Sequence, residues 1–147
     1  WKQIHIGSPN SELHINPPYN LNNEENKLNI RIRIKSDKAL LIKELSESRV
    51  MLNPGHKGEV FCLAAAEAAE LCVPIVTMGY GCLYERVEHN ITGYIAKTKK
   101  EFINYAIKIL NDDNTYFKFK ENLINKKGER TYKHVSDDLI KIINENK

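Results

Sequence analysis

Residues 72–78, CVPIVTM, form a short and continuously apolar run, and this run restricts the fold more than any other stretch of the chain. A strand with one wetted face alternates apolar and polar side chains. A strand covered on both faces reads as an unbroken apolar segment, as expected in the middle of a parallel sheet. An Ala-rich helical segment, from about Leu63 to Leu71, leads directly into it. A helix feeding a buried strand through a short connection is the repeating joint of βαβ architecture.

The rest of the chain continues that rhythm. QIHIGS (Gln3–Ser8) reads as a short buried strand ending in a Gly turn, and the Pro- and Asn-rich stretch 9–27 as irregular structure. Leu28–Ile34 alternates Ile with Arg at period two, the pattern of a strand with one more exposed face. A helix opens at an N-cap, Ser36 or Asp37, with Leu40, Leu41 and Leu45 on one face. RVMLNP is a strand closed by Pro54, 79–82 a turn, 83–90 a short helix, and 92–96 a final strand. Helices follow at 99–112, 114–130 and 136–146. Right-handed crossovers then predict an α/β fold, a Rossmann-like doubly wound parallel sheet with flanking helices. The length, 147 residues, predicts one domain.

Composition excludes several classes. The formal charge of +3 is far from a nucleic-acid-binding balance. No apolar run approaches a membrane span, and no signal peptide precedes the first strand. The expectation is a cytoplasmic protein, in which Cys62, Cys72 and Cys82 are reduced, mostly buried thiols. No histidine stands at ligand spacing from them, so no metal site is expected. The lysines at 97, 99, 100, 118, 120, 126 and 127, with Arg130, read first as solvated helix faces. They leave open a peripheral contact with the inner face of an anionic membrane. The chain starts at Trp1 and runs straight into structure, as a domain cut from a longer protein would.

Two carboxylates, Glu59 and Glu67, bracket the start of the Ala-rich helix in GEVFCLAAAEAAELCVPIVT. The loop 54–62 leaves the carboxyl end of a strand, which is the ligand-binding edge of an open parallel sheet. Helical side chains lean toward the helix N-terminus, so Glu67 points back to the loop that holds Glu59. Free N–H groups at 60–64 and the positive end of the helix dipole face the same space and suit a phosphate. An ionised Glu only accepts hydrogen bonds, which suits the hydroxyls of a ribose or hexose. Spacing alone equally allows Glu67 and Glu70 as solvated helix surface and Glu59 as a loop charge near a helix end. His56 and Lys57 are candidate phosphate contacts, or plain solvated loop residues.

The order of these pieces resembles a known family. EVFCLAAAEAAELCVPIV, followed by GCLYERVEHNITGYI, is similar to the C-terminal donor-binding domain of retaining glycosyltransferases of family 4, with the GT-B fold. Glu59 and Glu67 match the family's paired glutamates, and Pro74, Gly81, Glu85, Val87 and Gly93 match its later positions. The resemblance runs from about Leu28 onward.

The resemblance implies a nucleoside-diphosphate sugar donor and metal-independent hexosyl transfer, with retention, to a glycan or lipid-linked acceptor, as in polysaccharide biosynthesis. It implies that Glu59 contacts the hexose. Backbone amides of Val60, Phe61, Cys62 and Leu63 line the sugar and diphosphate, and Glu67 accepts from the ribose. An acceptor-binding N-terminal domain of the same protein, and the Arg and Lys that neutralise the diphosphate, would lie ahead of Trp1. The domain alone is then not expected to turn over. Val60, Cys62, Cys72 and Cys82 stand where many relatives have Gly, and a side chain disfavours positive φ. That departure keeps a second reading open, a GT-B-like interaction module that binds no donor. A dinucleotide dehydrogenase does not fit, because no Gly-x-Gly-x-x-Gly follows the first strand.

Overall fold

The computed structural model describes residues 1–15, 22–23, 25–33, 37–128 and 132–145. The elements run α1 (Lys2–Gly7), β1 (Leu13–Ile15), a 3-10 turn (Glu25–Lys27), β2 (Ile30–Ile32), α2 (Lys38–Glu47) and β3 (Met51–Asn53). They continue with α3 (Leu63–Glu70), β4 (Ile75–Thr77), α4 (Leu83–Arg86), β5 (Gly93–Ile95), α5 (Lys99–Asn111), α6 (Asp113–Lys126) and α7 (Tyr132–Glu145). The fold class is α/β with parallel strands flanked by helices, as the alternation predicted.

β4 is the centre. Ile75, Val76 and Thr77 are all buried, as an apolar run without alternation requires. β3 and β5 pair with it in parallel, in register Met51↔Ile75↔Gly93. Its side chains feed two cores on opposite faces. Ile75 packs with Ala65 and Ala68 of α3 and Leu83 of α4, while Val76 packs with Tyr94, Ile109 and Phe119 below α5 and α6. Tyr94 stacks on Tyr105 at 4.3 Å and meets Phe119 edge-on at 4.9 Å, both favourable aromatic arrangements. Gly93 has no room for a side chain, because a Cβ there would lie 2.2 Å from the Ile75 carbonyl oxygen.

The other strands differ from the expected single sheet. β1 and β2 form a separate parallel pair, with Leu13 opposite Ile30, beside the β3-β4-β5 sheet. β1 lies in the stretch read as irregular, and Gln3–Ser8 is helical rather than extended. The stretch reads as a buried strand in the sequence, but Ile4 turns inward while Ile6 stays 71% exposed. α1 packs on α5, where Gly7 lies against Ile107 and the Asn111 amide donates to the Gly7 carbonyl at 2.7 Å.

Asp37 caps α2, accepting from the Leu40 N–H at 2.8 Å. The alternative cap Ser36, the strand residue Ile34 and the basic residue Arg130 lie outside the described residues. Arg49, just ahead of β3, donates to the Ile109 carbonyl at 2.7 Å and covers the Tyr116 ring, which fixes the strand to α5 and α6. α7 begins earlier than the predicted 136 and leaves Val135, Leu139, Ile142 and Ile143 exposed. Among the described residues no helix is long and apolar enough to cross a membrane.

Phe119 is fully buried against Tyr94. Phe119→Ala is therefore expected to cost about 3–5 kcal/mol, read as a lower denaturant midpoint at unchanged slope.

Candidate functional site

β3, β4 and β5 run in parallel, so their carboxyl ends share one edge, marked by Asn53, Thr77 and Ile95. Two loops leave that edge, 54–62 into α3 and 78–82 into α4, and the backbone ties them together. The Cys82 N–H donates to the Glu59 carbonyl at 2.9 Å, and the Met78 N–H to the Pro54 carbonyl at 3.2 Å. Gly81 makes the approach possible: at φ +59 its absent Cβ would stand 2.4 Å from the Glu59 carbonyl oxygen. The match of Gly81 in the sequence thus has a steric cause.

Asn53 starts the site from below. Its side-chain oxygen accepts from the Gly55 N–H at 3.0 Å, and its amide nitrogen lies 3.3 Å from the Cys62 Sγ. The Glu59 carboxylate lies close enough to the Cys62 thiol to act on its titration. Burial pushes this thiol up, and the Glu59 carboxylate pushes it further, against a smaller pull from the Ala65 amide. Glu59 itself is half-buried at the mouth of the loop. Sequence reasoning passed over Asn53; an Asn directly before Pro-Gly at a strand end is the turn signal that marks it.

Cys62 is the N-cap of α3, at φ +50, and supplies no side-chain cap. The N–H groups of Val60, Phe61, Cys62, Leu63 and Ala64 donate to none of the described residues. They are the free donors of a helix start, beside the positive end of its dipole. Val60, Phe61 and Leu63 turn their side chains outward, with exposures of 89%, 55% and 68%. Glu67 lies one turn into α3, half-buried, while Ala65 and Ala68 take the core face. Its carboxylate forms no hydrogen bond or ion pair with the described residues. The fold brings Glu59 near enough to Cys62 to raise its thiol, and among the described residues no bond joins Glu59 to Glu67.

A cation stands at the same edge. The Arg86 Nε donates to the Phe61 carbonyl at 3.1 Å, and its guanidinium covers the Phe61 ring at 4.1 Å. His56 and Lys57 are exposed, and the His56 Nδ1 accepts from the Gly58 N–H at 3.1 Å. Among the departures from Gly, Cys62 and Cys72 do take positive φ, +50 and +58. An L-residue in that region costs about 1–2 kcal/mol. Cys82 does not share the strain, with φ −74. All three thiols are free and buried.

Removing the Glu59 charge takes away one of the causes that raise the Cys62 thiol. Glu59→Gln is expected to lower that thiol's titration and speed its alkylation near pH 8, with Cys72 as the internal reference. Peptide mapping after iodoacetamide pulses measures it, and an unchanged rate would mean that the two side chains do not touch.

Residues 19–126 match the family described as glycosyl transferases group 1. No curated protein matches the chain. The matched span covers β2, the whole β3-β4-β5 sheet, both loops and the two glutamates, well over half of the sequence. The chain belongs to the group 1 glycosyltransferases.

Proposed function

We propose that this chain is the single, Rossmann-like donor-binding domain of a two-domain, retaining GT-B glycosyltransferase of family 4. One observation carries the reading: consecutive N–H groups at 60–64, without a partner among the described residues, open α3 between the half-buried Glu59 and Glu67. The amides of Val60, Phe61, Cys62 and Leu63 receive the diphosphate and sugar of a nucleoside-diphosphate hexose. Glu67, whose carboxylate has no partner among the described residues, accepts from the ribose hydroxyls. Glu59 accepts from the hexose.

In the transfer the bond from the anomeric carbon to the diphosphate oxygen breaks, and a bond to the acceptor hydroxyl oxygen forms on the same face. The departing phosphate takes the acceptor's proton. Charge grows on the diphosphate as the bond stretches, and the amides with the helix dipole stabilise it more in the transition state than in the ground state. No metal is needed for that role. The acceptor, a glycan or a lipid-linked sugar, is held by an N-terminal domain of the same protein. The exposed lysines at 97, 99 and 100 suit weak attraction to the inner face of the cytoplasmic membrane.

The alternative, an interaction module that binds no donor, draws support from the exposed Val60, Phe61 and Leu63 and from the strained Cys62. A ligand-observed NMR titration with UDP, GDP, ADP and UDP-sugars separates the two. Binding of one nucleotide, lost in Glu67→Ala while the fold persists, is the expected result. Undiminished binding by Glu67→Ala would remove Glu67 from the ribose role, and no binding by the two-domain protein would favour the module. In the two-domain enzyme, Glu59→Gln is expected to lower kcat by roughly 100-fold or more while nucleotide affinity moves little.

A further inference from the structure

Arg86 ends α4, the short helix that follows the second edge loop, and it is half-buried. A cation taken partly out of water is normally paired with a carboxylate. Among the described residues none forms an ion pair with Arg86. Its Nε–H donates instead to the Phe61 carbonyl at 3.1 Å, and its guanidinium lies 4.1 Å from the centre of the Phe61 ring. One carbonyl and one ring face leave the remaining guanidinium donors and the net charge unanswered. That charge stands at the rim of the loop that opens α3.

The carbonyl held by Arg86 belongs to the peptide between Phe61 and Cys62. A trans peptide is planar, and its C=O and N–H point in opposite directions. With the carbonyl turned to Arg86, the Cys62 N–H points away from α4. That N–H donates to none of the described residues. Cys62 also takes the left-handed region, at φ +50, a strained backbone that persists only where its surroundings fix it. The Arg86 bond fixes the peptide from behind and leaves its front to a ligand.

The bond also changes the donor. A cation on the carbonyl oxygen draws electron density through the peptide, and hydrogen bonds in series polarise one another. The Glu59 carbonyl, which shares a peptide with the Val60 N–H, accepts only from the neutral Cys82 N–H. Among the free donors at 60–64, Cys62 alone belongs to a peptide whose carbonyl accepts from a charged side chain of the described residues.

We propose that Arg86 is a positioning residue for the donor's diphosphate: it holds and polarises the 61–62 peptide so that the Cys62 N–H is the strongest backbone donor to a diphosphate oxygen. The ligand's negative charge then answers the charge that the fold leaves uncompensated. The inference rests on the donor-site reading of 60–64.

Inorganic pyrophosphate is the probe, titrated into the isotope-labelled chain and followed by amide NMR, beside Arg86→Gln and Arg86→Lys. In the parent, the Cys62 amide proton is expected to move downfield further than those of Val60, Phe61, Leu63 and Ala64. Gln keeps a donor for the Phe61 carbonyl without the charge, and Lys keeps the charge without the planar fork. Arg86→Gln is expected to weaken binding roughly 10-fold and to cancel the lead of Cys62, and Arg86→Lys to recover part of both. A clamp that merely joined α4 to the loop would lose as much in Lys as in Gln. Unmoved resonances of α5 and α6 verify the fold of each variant. Equal affinity in the parent and Arg86→Gln, or equal loss in both variants, would overturn the proposal and leave the donor site standing. A Cys62 shift in the parent no larger than its neighbours' would overturn it without recourse to any variant. A larger shift at the Arg86 Nε–H than at Cys62 would put the anion on the guanidinium itself and overturn it as well. Absence of any shift at 60–64 would also overturn it, while the nucleotide titration of the two-domain protein separately decides the donor site.

Discussion

Burial of β4 from both faces is the constraint on which the rest depends. A strand with no wetted side needs hydrogen-bonding neighbours at each edge and apolar layers above and below. β3 and β5 supply the first and the two cores the second. Once β4 is fixed, its parallel neighbours place their carboxyl ends together, and the two loops at that edge have no choice but to meet. Gly93 and Gly81 mark the closest approaches, one within the sheet and one between the loops.

Local signals carried the elements built on β4. The unbroken run at 72–78, the Asp37 cap and the Pro after Asn53 each act through neighbours a few residues away, so the chain states them plainly. β1 and α1 were misread because their identity is decided at long range. Leu13–Ile15 is a strand only because β2 lies beside it, and Lys2–Gly7 is a helix that packs on α5 through Gly7. Ile4 and Ile6 fit either period equally well, and tertiary contact chose.

At the site, the free amides of 60–64 followed from the helix start alone, and Glu59 from its place ahead of them. The Asn53–Cys62 contact did not, because it joins a strand end and a helix cap that meet only in the folded chain. The left-handed backbone at Cys62 and Cys72 was legible only through the Gly that the family resemblance implies there. Cysteine in that conformation is uncommon, and the strain is held by burial of both residues.

The two loops at the sheet edge are joined at three levels: Gly81 against the Glu59 carbonyl, the Cys82 N–H on that same oxygen, and Arg86 clamped over Phe61. They therefore move as one rigid plate rather than as two independent flaps. A ligand arriving at this edge meets a backbone that does not adapt to it. What can adapt there is left to side chains, above all Val60 and Leu63, which the plate holds out into solvent.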